Sequence, residues 1–362
     1  MNDLMTPVKI NIIPNENSKI HEVDFDNLVF GKKFSDHMFV MEYEKGSWGL
    51  PLIKPYGRIQ ISPALNTLHY GQAIFEGMKA FYADDDTINI YRPKDHFERM
   101  NYSSRRMGIP ETDYETFITA LEQLIKLDHK FVPKQDQSAL YIRPFVFASD
   151  DLLAARSSTK FSYYIITSPV GAYYEEGFNP VSLTTTKDYV RAVVGGTGDV
   201  KTAGNYAASF LPAKKAQEDG YTQVLWLDAK EHKYIEEVGT MNIHFLIGDT
   251  LITPKLTGSI LGGITRRSVI ALAEEWGYNI EERRITIDEL FEASDNGTLK
   301  EVFGSGTAAV ISPVGLIHHQ GRKIDFGIDS IGEFAKRLYD EITGIQYGKV
   351  EDRHNWIHTV KV

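Results

Sequence analysis

Tyr114, Phe117, Ile118, Leu121, Leu124 and Ile125 fall at i, i+3, i+4, i+7, i+10 and i+11, the apolar stripe of an amphipathic helix. The spacing predicts a helix from Thr112 to about His129, with Thr112 and Glu115 as its capping box. A shorter helix carries Phe97 and Met100 and stops at Gly108, with Pro110 just beyond. Around these helices lie stretches of β character: Phe39–Tyr43 turning at Gly46-Ser47, Thr87–Tyr91 alternating after Asp84-Asp85-Asp86, then Leu140–Phe147 and Phe161–Thr167. Gly71–Phe81 reads as a helix-like start running into a strand. Residues 1–30 read as a leader that docks late and ends in the apolar Leu28-Val29-Phe30.

Between Pro169 and Pro180 the periodicity stops. Two glycines bounded by two prolines predict an interdomain connection over 171–181. That leaves a smaller N-terminal α/β layer domain over 1–170 and a larger C-terminal domain over 182–362. The second half opens with Val181–Val194, mostly strand, and a helix follows from Tyr206 to Glu218 with Pro212 inside it and Gly220 ending it. Strands are expected at Thr222–Asp228, Met241–Ile247 and Leu251–Thr253. Ile264-Thr265 opens a helix with Val269, Leu272, Ala273 and Trp276 on one face and Gly277 as its C′ residue. Glu301–Gly315 reads as strand, glycine turn, strand. The expected class is α+β in two domains, the second dominated by strands.

The 362 residues suffice for roughly two domains with real cores. A net charge of −10 argues against a general nucleic-acid binder. The absence of cysteine removes disulfides, thiolate metal sites and cysteine nucleophiles. No run reaches the roughly 18 apolar residues of a membrane span. Met1–Asn17 lacks the apolar core of a signal peptide and, with Asp3, Glu16 and no arginine, does not fit a mitochondrial presequence. The cytoplasm is the expected location.

The candidate chemistry starts at Gly195-Gly196-Thr197-Gly198-Asp199-Val200-Lys201-Thr202-Ala203-Gly204-Asn205-Tyr206, one lysine among four glycines at a helix entrance. Glycines admit positive φ and the close approach of a ligand, and Lys201 there presents an amine to a carbonyl. The plainer reading is a turn that connects elements or holds an anion at a helix N-terminus. A P-loop requires glycine before the Lys-Thr pair, and Val200 stands there. Gly262-Gly263-Ile264-Thr265-Arg266 puts backbone N–H groups at a helix start, which suits phosphate, and Gly304–Ala309 is a second glycine-rich turn. In Glu236-Glu237-Val238-Gly239-Thr240-Met241-Asn242, Glu237, if buried, needs a cationic or proton-donating partner. A lysine, two phosphate cradles and a carboxylate together suit pyridoxal 5′-phosphate. A regulatory module that merely holds a nucleotide or phosphosugar is the rival from another class.

Over nearly its whole length the chain resembles the branched-chain amino acid aminotransferases of fold type IV. The resemblance rests on an ordered set of motifs: Phe30-Gly31 with Phe34-Ser35-Asp36-His37-Met38; His69-Tyr70-Gly71 with Phe75-Glu76-Gly77-Met78-Lys79-Ala80-Phe81; Tyr141-Ile142-Arg143-Pro144; Gly171-Ala172-Tyr173; Tyr189-Val190-Arg191-Ala192 leading into the lysine loop; Glu237–Asn242; and Val302–Ala308. It implies a homodimer with a strand-dominated pseudo-barrel as its larger domain and the active site between domains. It also implies reversible transfer of the amino group of leucine, isoleucine or valine to 2-oxoglutarate. D-amino-acid aminotransferases and aminodeoxychorismate lyases are the rivals that share the fold.

The resemblance also implies roles. Lys201 matches the lysine that bonds the cofactor and moves the substrate Cα proton; Glu237 matches the partner of the pyridine nitrogen and Tyr206 that of the ring oxygen. Arg99, Arg191, Thr307 and the backbone of Ile264 and Thr265 match phosphate ligands. Phe30, Tyr70, Tyr141 and Tyr173 match the walls of the side-chain pocket, and the Thr307-Ala308 backbone takes the α-carboxylate. Leu153 reaches in from a partner subunit, with Ala155 at the place of a second such residue. Arg143, in an otherwise apolar strand, is the candidate cation for the distal carboxylate of glutamate. Ala309 and Ser312 stand where mammalian members carry a Cys-x-x-Cys pair, so the resemblance is to the longer bacterial-type subgroup without a thiol switch.

Overall fold

The computed structural model describes residues 8–83, 86–171, 179–327 and 331–362. The chain divides into two compact units, Met1–Ala172 with Lys201–Ala203 and Ile345–Val362, and Tyr173–Val200 with Gly204–Gly344. This division departs from the boundaries at 170 and 182 in two places. The lysine triplet groups with the first unit rather than the second, and so does the C-terminal segment. Long-range strand pairing, invisible to local composition, is the reason.

The first unit is built on one sheet, in the order Asn11–Ile12, Leu52–Pro55, His37–Glu44, Phe161–Val170, Ala139–Ala148, Met78–Tyr82, Thr87–Tyr91 and Ile357–Lys361. Every neighbouring pair along it is antiparallel except the first. The helices Pro93–Met107 and Tyr114–Leu127 contribute Met100, Phe117, Leu121 and Leu124 to a core shared with Leu140, Ile142 and Val146 of the Ala139–Ala148 strand. Strand alternation then places Tyr141, Arg143, Phe145 and Phe147 on the other face. An arginine sits in this apolar strand because its face is the one the helices leave uncovered.

The first turn of the Tyr114–Leu127 helix corrects the expected capping box. Asp113 is the N-cap, its Oδ1 accepting from the Thr116 N–H at 2.7 Å and its Oδ2 from the Thr116 hydroxyl at 2.8 Å. Thr112 is instead buried and clamped by Asn101, which accepts from its N–H and donates to its carbonyl. The helix-like start at Gly71 is also corrected. Gly71, at φ 66°, ends a short helix Asn66–Tyr70, and strands Ala73–Phe75 and Met78–Tyr82 follow.

In the second unit six strands close into a barrel: Ile235–Val238, Gln223–Leu227, Val181–Thr185, Val310–His319, Leu299–Gly306 and Met241–Ile247, which pairs back to Ile235–Val238. Val181, Leu183, Leu225, Ile235, Val238, Ile243, Phe245 and Val302 belong to its core. Thr250–Pro254 and Asn279–Arg283 extend the sheet past the barrel. The expected strand from Val181 to Val194 stops at Thr185, and the chain runs from there through turns to Lys201. Glycines 304 and 306 lie in the Leu299–Gly306 strand, and the turn itself is Thr307-Ala308-Ala309.

Candidate active site

In the first unit the triplet at Lys201 is tied to the Ala73–Phe75 strand. The Phe75 N–H donates to the Lys201 carbonyl at 3.0 Å, the Thr202 hydroxyl donates to the Ala73 carbonyl at 2.7 Å, and Ile74 and Thr202 form a β-bridge. The Lys201 N–H donates to the Ser103 hydroxyl at 3.0 Å. Main-chain bonds on both sides thus fix where the side chain starts. Its Nζ lies 4.9 Å from the centroid of the Phe75 ring.

The same ring receives Arg143, whose Cζ is 4.7 Å from its centroid. Arg143 Nη2 donates to the Tyr141 hydroxyl at 2.8 Å, and its guanidinium lies 5.2 Å from the Tyr141 ring. Phe30 meets Tyr141 edge to face, with centroids 4.8 Å apart. Among the described residues Arg143 forms no ion pair, and its buried Nε has no hydrogen-bond partner. Phe30, Tyr141, Arg143 and Lys201 are therefore brought together around Phe75. Tyr70 and Leu153, 47% and 62% exposed, are not part of this group. Tyr173 lies outside the described residues.

Next to Phe75 is a charged cluster of Glu76, Arg99 and His96, of which the sequence singled out only Arg99. Glu76 is fully buried; its Oε1 accepts from Arg99 Nε at 2.7 Å and its Oε2 from Arg99 Nη2 at 2.9 Å. The imidazole of His96 meets Oε2 through Nδ1 at 2.8 Å, and the Gly77 N–H donates to the same oxygen at 3.2 Å. Burial opposes ionisation of Glu76, but Arg99 and His96 outweigh it and hold the carboxyl well below the usual range. Burial pushes His96 down despite Glu76, and since an ionised carboxylate only accepts, Nδ1–H is the donor. His96 and Arg99, at i and i+3, share the buried face of one helix, and that spacing is the signal that marks them.

In the second unit a register shift opposite Trp226-Leu227 governs the acidic pair. Glu237 pairs with Trp226 and Ile235 with Leu227, which leaves Glu236 as the extra residue of a bulge. Ile235 and Val238 both face the barrel core, and the two glutamates between them both leave it. Neither becomes a surface carboxylate: Glu236 is 6% and Glu237 2% exposed. Glu237 forms an ion pair with Arg191 and accepts from Asn242 Nδ2 at 3.2 Å. Arg191 also donates to the Ser259 carbonyl at 2.7 Å and the Gly198 carbonyl at 3.2 Å. Glu236 accepts from the Ser259 hydroxyl, and burial pushes its carboxyl up.

Asn205 shapes the glycine loop, donating to the Thr197 carbonyl at 2.6 Å and the Val200 carbonyl at 2.9 Å. Tyr206 stands in the first turn of the helix that follows. The helix at Ile264 begins after Gly263 with no side-chain cap, so its first N–H groups, those of Ile264 and Thr265 among them, are offered by the backbone alone. A Cβ on Gly263 would stand 2.0 Å from Asn242 Oδ1, so only glycine lets this helix start approach the Glu237 side chain's neighbour so closely.

The family model for class IV aminotransferases matches residues 73–317. The chain is 49% identical over 335 residues to branched-chain-amino-acid aminotransferase 2 of Bacillus subtilis (strain 168), covering 92% of each. It belongs to the branched-chain-amino-acid aminotransferases of class IV. Branched-chain-amino-acid transaminase 1 of the same organism is 48% identical over 341 residues, 94% of this chain and 95% of that one. The fold of this aminotransferase is also that of the Escherichia coli branched-chain amino acid aminotransferase crystal structure, at a TM-score of 0.70 and 25% identity over 88% of this chain and 98% of that one. The Thermoproteus uzoniensis branched-chain aminotransferase, solved with norvaline, gives a TM-score of 0.73 at 24% identity over 89% of this chain and 99% of that one.

Aminotransferases of this class work with pyridoxal 5′-phosphate. The residues present fit that group. A buried carboxylate at Glu237 suits a protonated ring nitrogen, and a helix start without a side-chain cap, narrowed to glycine at 263, suits a phosphate.

Proposed function

We propose that this aminotransferase exchanges the amino group of leucine, isoleucine or valine with 2-oxoglutarate, and that it works as a cytoplasmic homodimer. The observation that carries the mechanism is Glu237, buried at the barrel seam between Arg191 and Asn242. When bound, the cofactor withdraws electrons from the substrate Cα through a protonated pyridine ring. Glu237 keeps that nitrogen protonated. Lys201 would supply the amine that anchors the cofactor and, once the substrate amine has displaced it, would carry the proton from the substrate Cα to the cofactor C4′. Arg99, Arg191, Thr307 and the N–H groups of Ile264 and Thr265 bind the phosphate, and Tyr206 bonds the ring oxygen.

Phe30 and Tyr141, edge to face with each other, exclude water around the side chain. The backbone at Thr307 and Ala308 orients the α-carboxylate. Arg143 is the residue that lets one pocket take both substrates. Its hydrogen bond to Tyr141 and its stacking on Phe75 hold it while an aliphatic side chain is present, and its plane pairs with a carboxylate when glutamate is. Leu153, 62% exposed on its own chain, would reach into the other chain's pocket, with Ala155 at the place of a second such residue.

The test is spectroscopic. The purified holoenzyme should be yellow, and L-leucine should shift its visible band while D-leucine should not. Adding 2-oxoglutarate should restore the band and release L-glutamate. A protein that responds to the D-amino acid, or a colourless one that binds ATP, would overturn the reading.

A further inference from the structure

Glu76 is a buried anion that the roles above leave without a task. Its carboxylate occupies one whole edge of Arg99, through Nε and Nη2, and fixes the plane of that guanidinium. His96 holds the carboxylate in turn through Nδ1, and the Gly77 N–H closes the shell. Glu76 itself is anchored at its own N–H, which donates to the Pro144 carbonyl at 2.8 Å. Every member of the set is at least nine-tenths buried, so the assembly cannot swing to follow a ligand. An arginine on a long flexible stem normally loses entropy when it grips an anion. Here that loss has been taken during folding.

We propose that Glu76 and His96 are positioning residues for Arg99, a buried clamp that preorganises it for the cofactor phosphate. The proposal rests on the reading of Arg99 as a phosphate ligand. The clamp has a second effect by charge. The buried Arg99 and the half-buried Lys201 carry like charge, and Glu76 supplies the compensating anion; His96, next to Glu76, stands within the electrostatic reach of both. The neutral imidazole adds a donor to Glu76 without adding charge.

The experiment compares two ligands on the apoprotein, pyridoxal 5′-phosphate and pyridoxal, which lacks the phosphate. Glu76→Gln keeps the shape of the side chain and removes its charge. The expected result is at least a tenfold loss of affinity for the phosphorylated form, with affinity for pyridoxal changed less than threefold. In Arg99→Ala the further change E76Q should add no loss, because the clamp acts only through the arginine. Equal losses for both ligands, or none, would overturn the clamp. If E76Q does not fold, His96→Ala and His96→Asn carry the same comparison: the first should lose phosphate selectivity, and the second, which keeps a donor near the Nδ1 position, should restore it. Failure of the wild-type protein to take up either ligand would instead strike the assignment of the cofactor site.

Discussion

A Cβ on Gly77 would stand 2.0 Å from the hydroxyl oxygen of Tyr141. That hydroxyl is the acceptor for Arg143 Nη2, so the bare backbone at 77 sets where the arginine can rest. Gly77→Ala should push the Tyr141 ring aside and release Arg143. Overpacking of this kind costs about 1–3 kcal/mol of stability. The functional expectation is more specific: KM for glutamate and 2-oxoglutarate rises several-fold more than KM for leucine. Steady-state kinetics with both donors check it, and equal changes would detach Gly77 from selectivity.

Arg143→Ala should separate the two half-reactions. Among the described residues Arg143 forms no ion pair, so its removal orphans no carboxylate there. Glutamate bound without it leaves a carboxylate facing aromatic walls, and loss of such a charge-assisted pair costs about 2–5 kcal/mol. Single-turnover rates should therefore fall more than tenfold further for glutamate than for leucine. Parallel losses would make Arg143 structural.

Lys201→Ala should abolish turnover and leave the fold in place, because the segment is held by main-chain bonds to Phe75 and by the Thr202 hydroxyl. Borohydride treatment of the wild-type holoenzyme followed by peptide mapping should label Lys201. A label on another lysine would displace it.

Glu237→Gln should retain cofactor and lower kcat by at least tenfold, since an amide stabilises a protonated ring nitrogen far less than a carboxylate does. It also strips Arg191 of a partner at a site where both side chains are under a tenth exposed. Removing one member of such a pair costs about 3–5 kcal/mol, so the melting temperature of the apoprotein should drop as well. Unchanged kcat would move the role to Glu236.

Acidification should destabilise the protein through His244. This residue is fully buried, its Nε2 meets the Ser305 hydroxyl at 2.9 Å, and burial with the charge of Arg266 pushes its pKa well below the ordinary value. The unfolded chain takes up a proton near pH 6.5 while the folded chain does not, so stability is intact above that pH and declines as the pH falls below it. The melting temperature should decrease from pH 7 to pH 5, and His244→Gln should flatten that slope. An unchanged slope would assign the acid limb to other groups.

What local pattern decides was legible. The stripe from Tyr114 to Ile125 is a helix, Gly108 is its predecessor's left-handed cap, and the Ala139–Ala148 strand carries Arg143 on the face the helices do not cover. The lysine loop stood out by its four glycines at a helix entrance, and Glu237 by the acidic pair close to Gly239. What escaped depended on partners far along the chain. Thr112 looked like a cap until Asn101 claimed it, and Asp113 took its place. No spacing rule reveals that a bulge at Glu236, opposite Trp226-Leu227, leaves two consecutive glutamates buried. Glu76 was visible as a letter in a motif, but its work depends on His96 and Arg99 of a helix that begins well after it.

The strand Ile357–Lys361 completes the first unit by pairing with Thr87–Tyr91, from Ile357 against Tyr91 to Lys361 against Thr87. Translation therefore delivers the two halves of this ladder at widely separated times. Until the later half emerges, Thr87–Tyr91 is an open edge able to recruit a strand from a neighbouring nascent chain. The barrel is synthesised during that wait, so the second unit is available to fold before the first is finished.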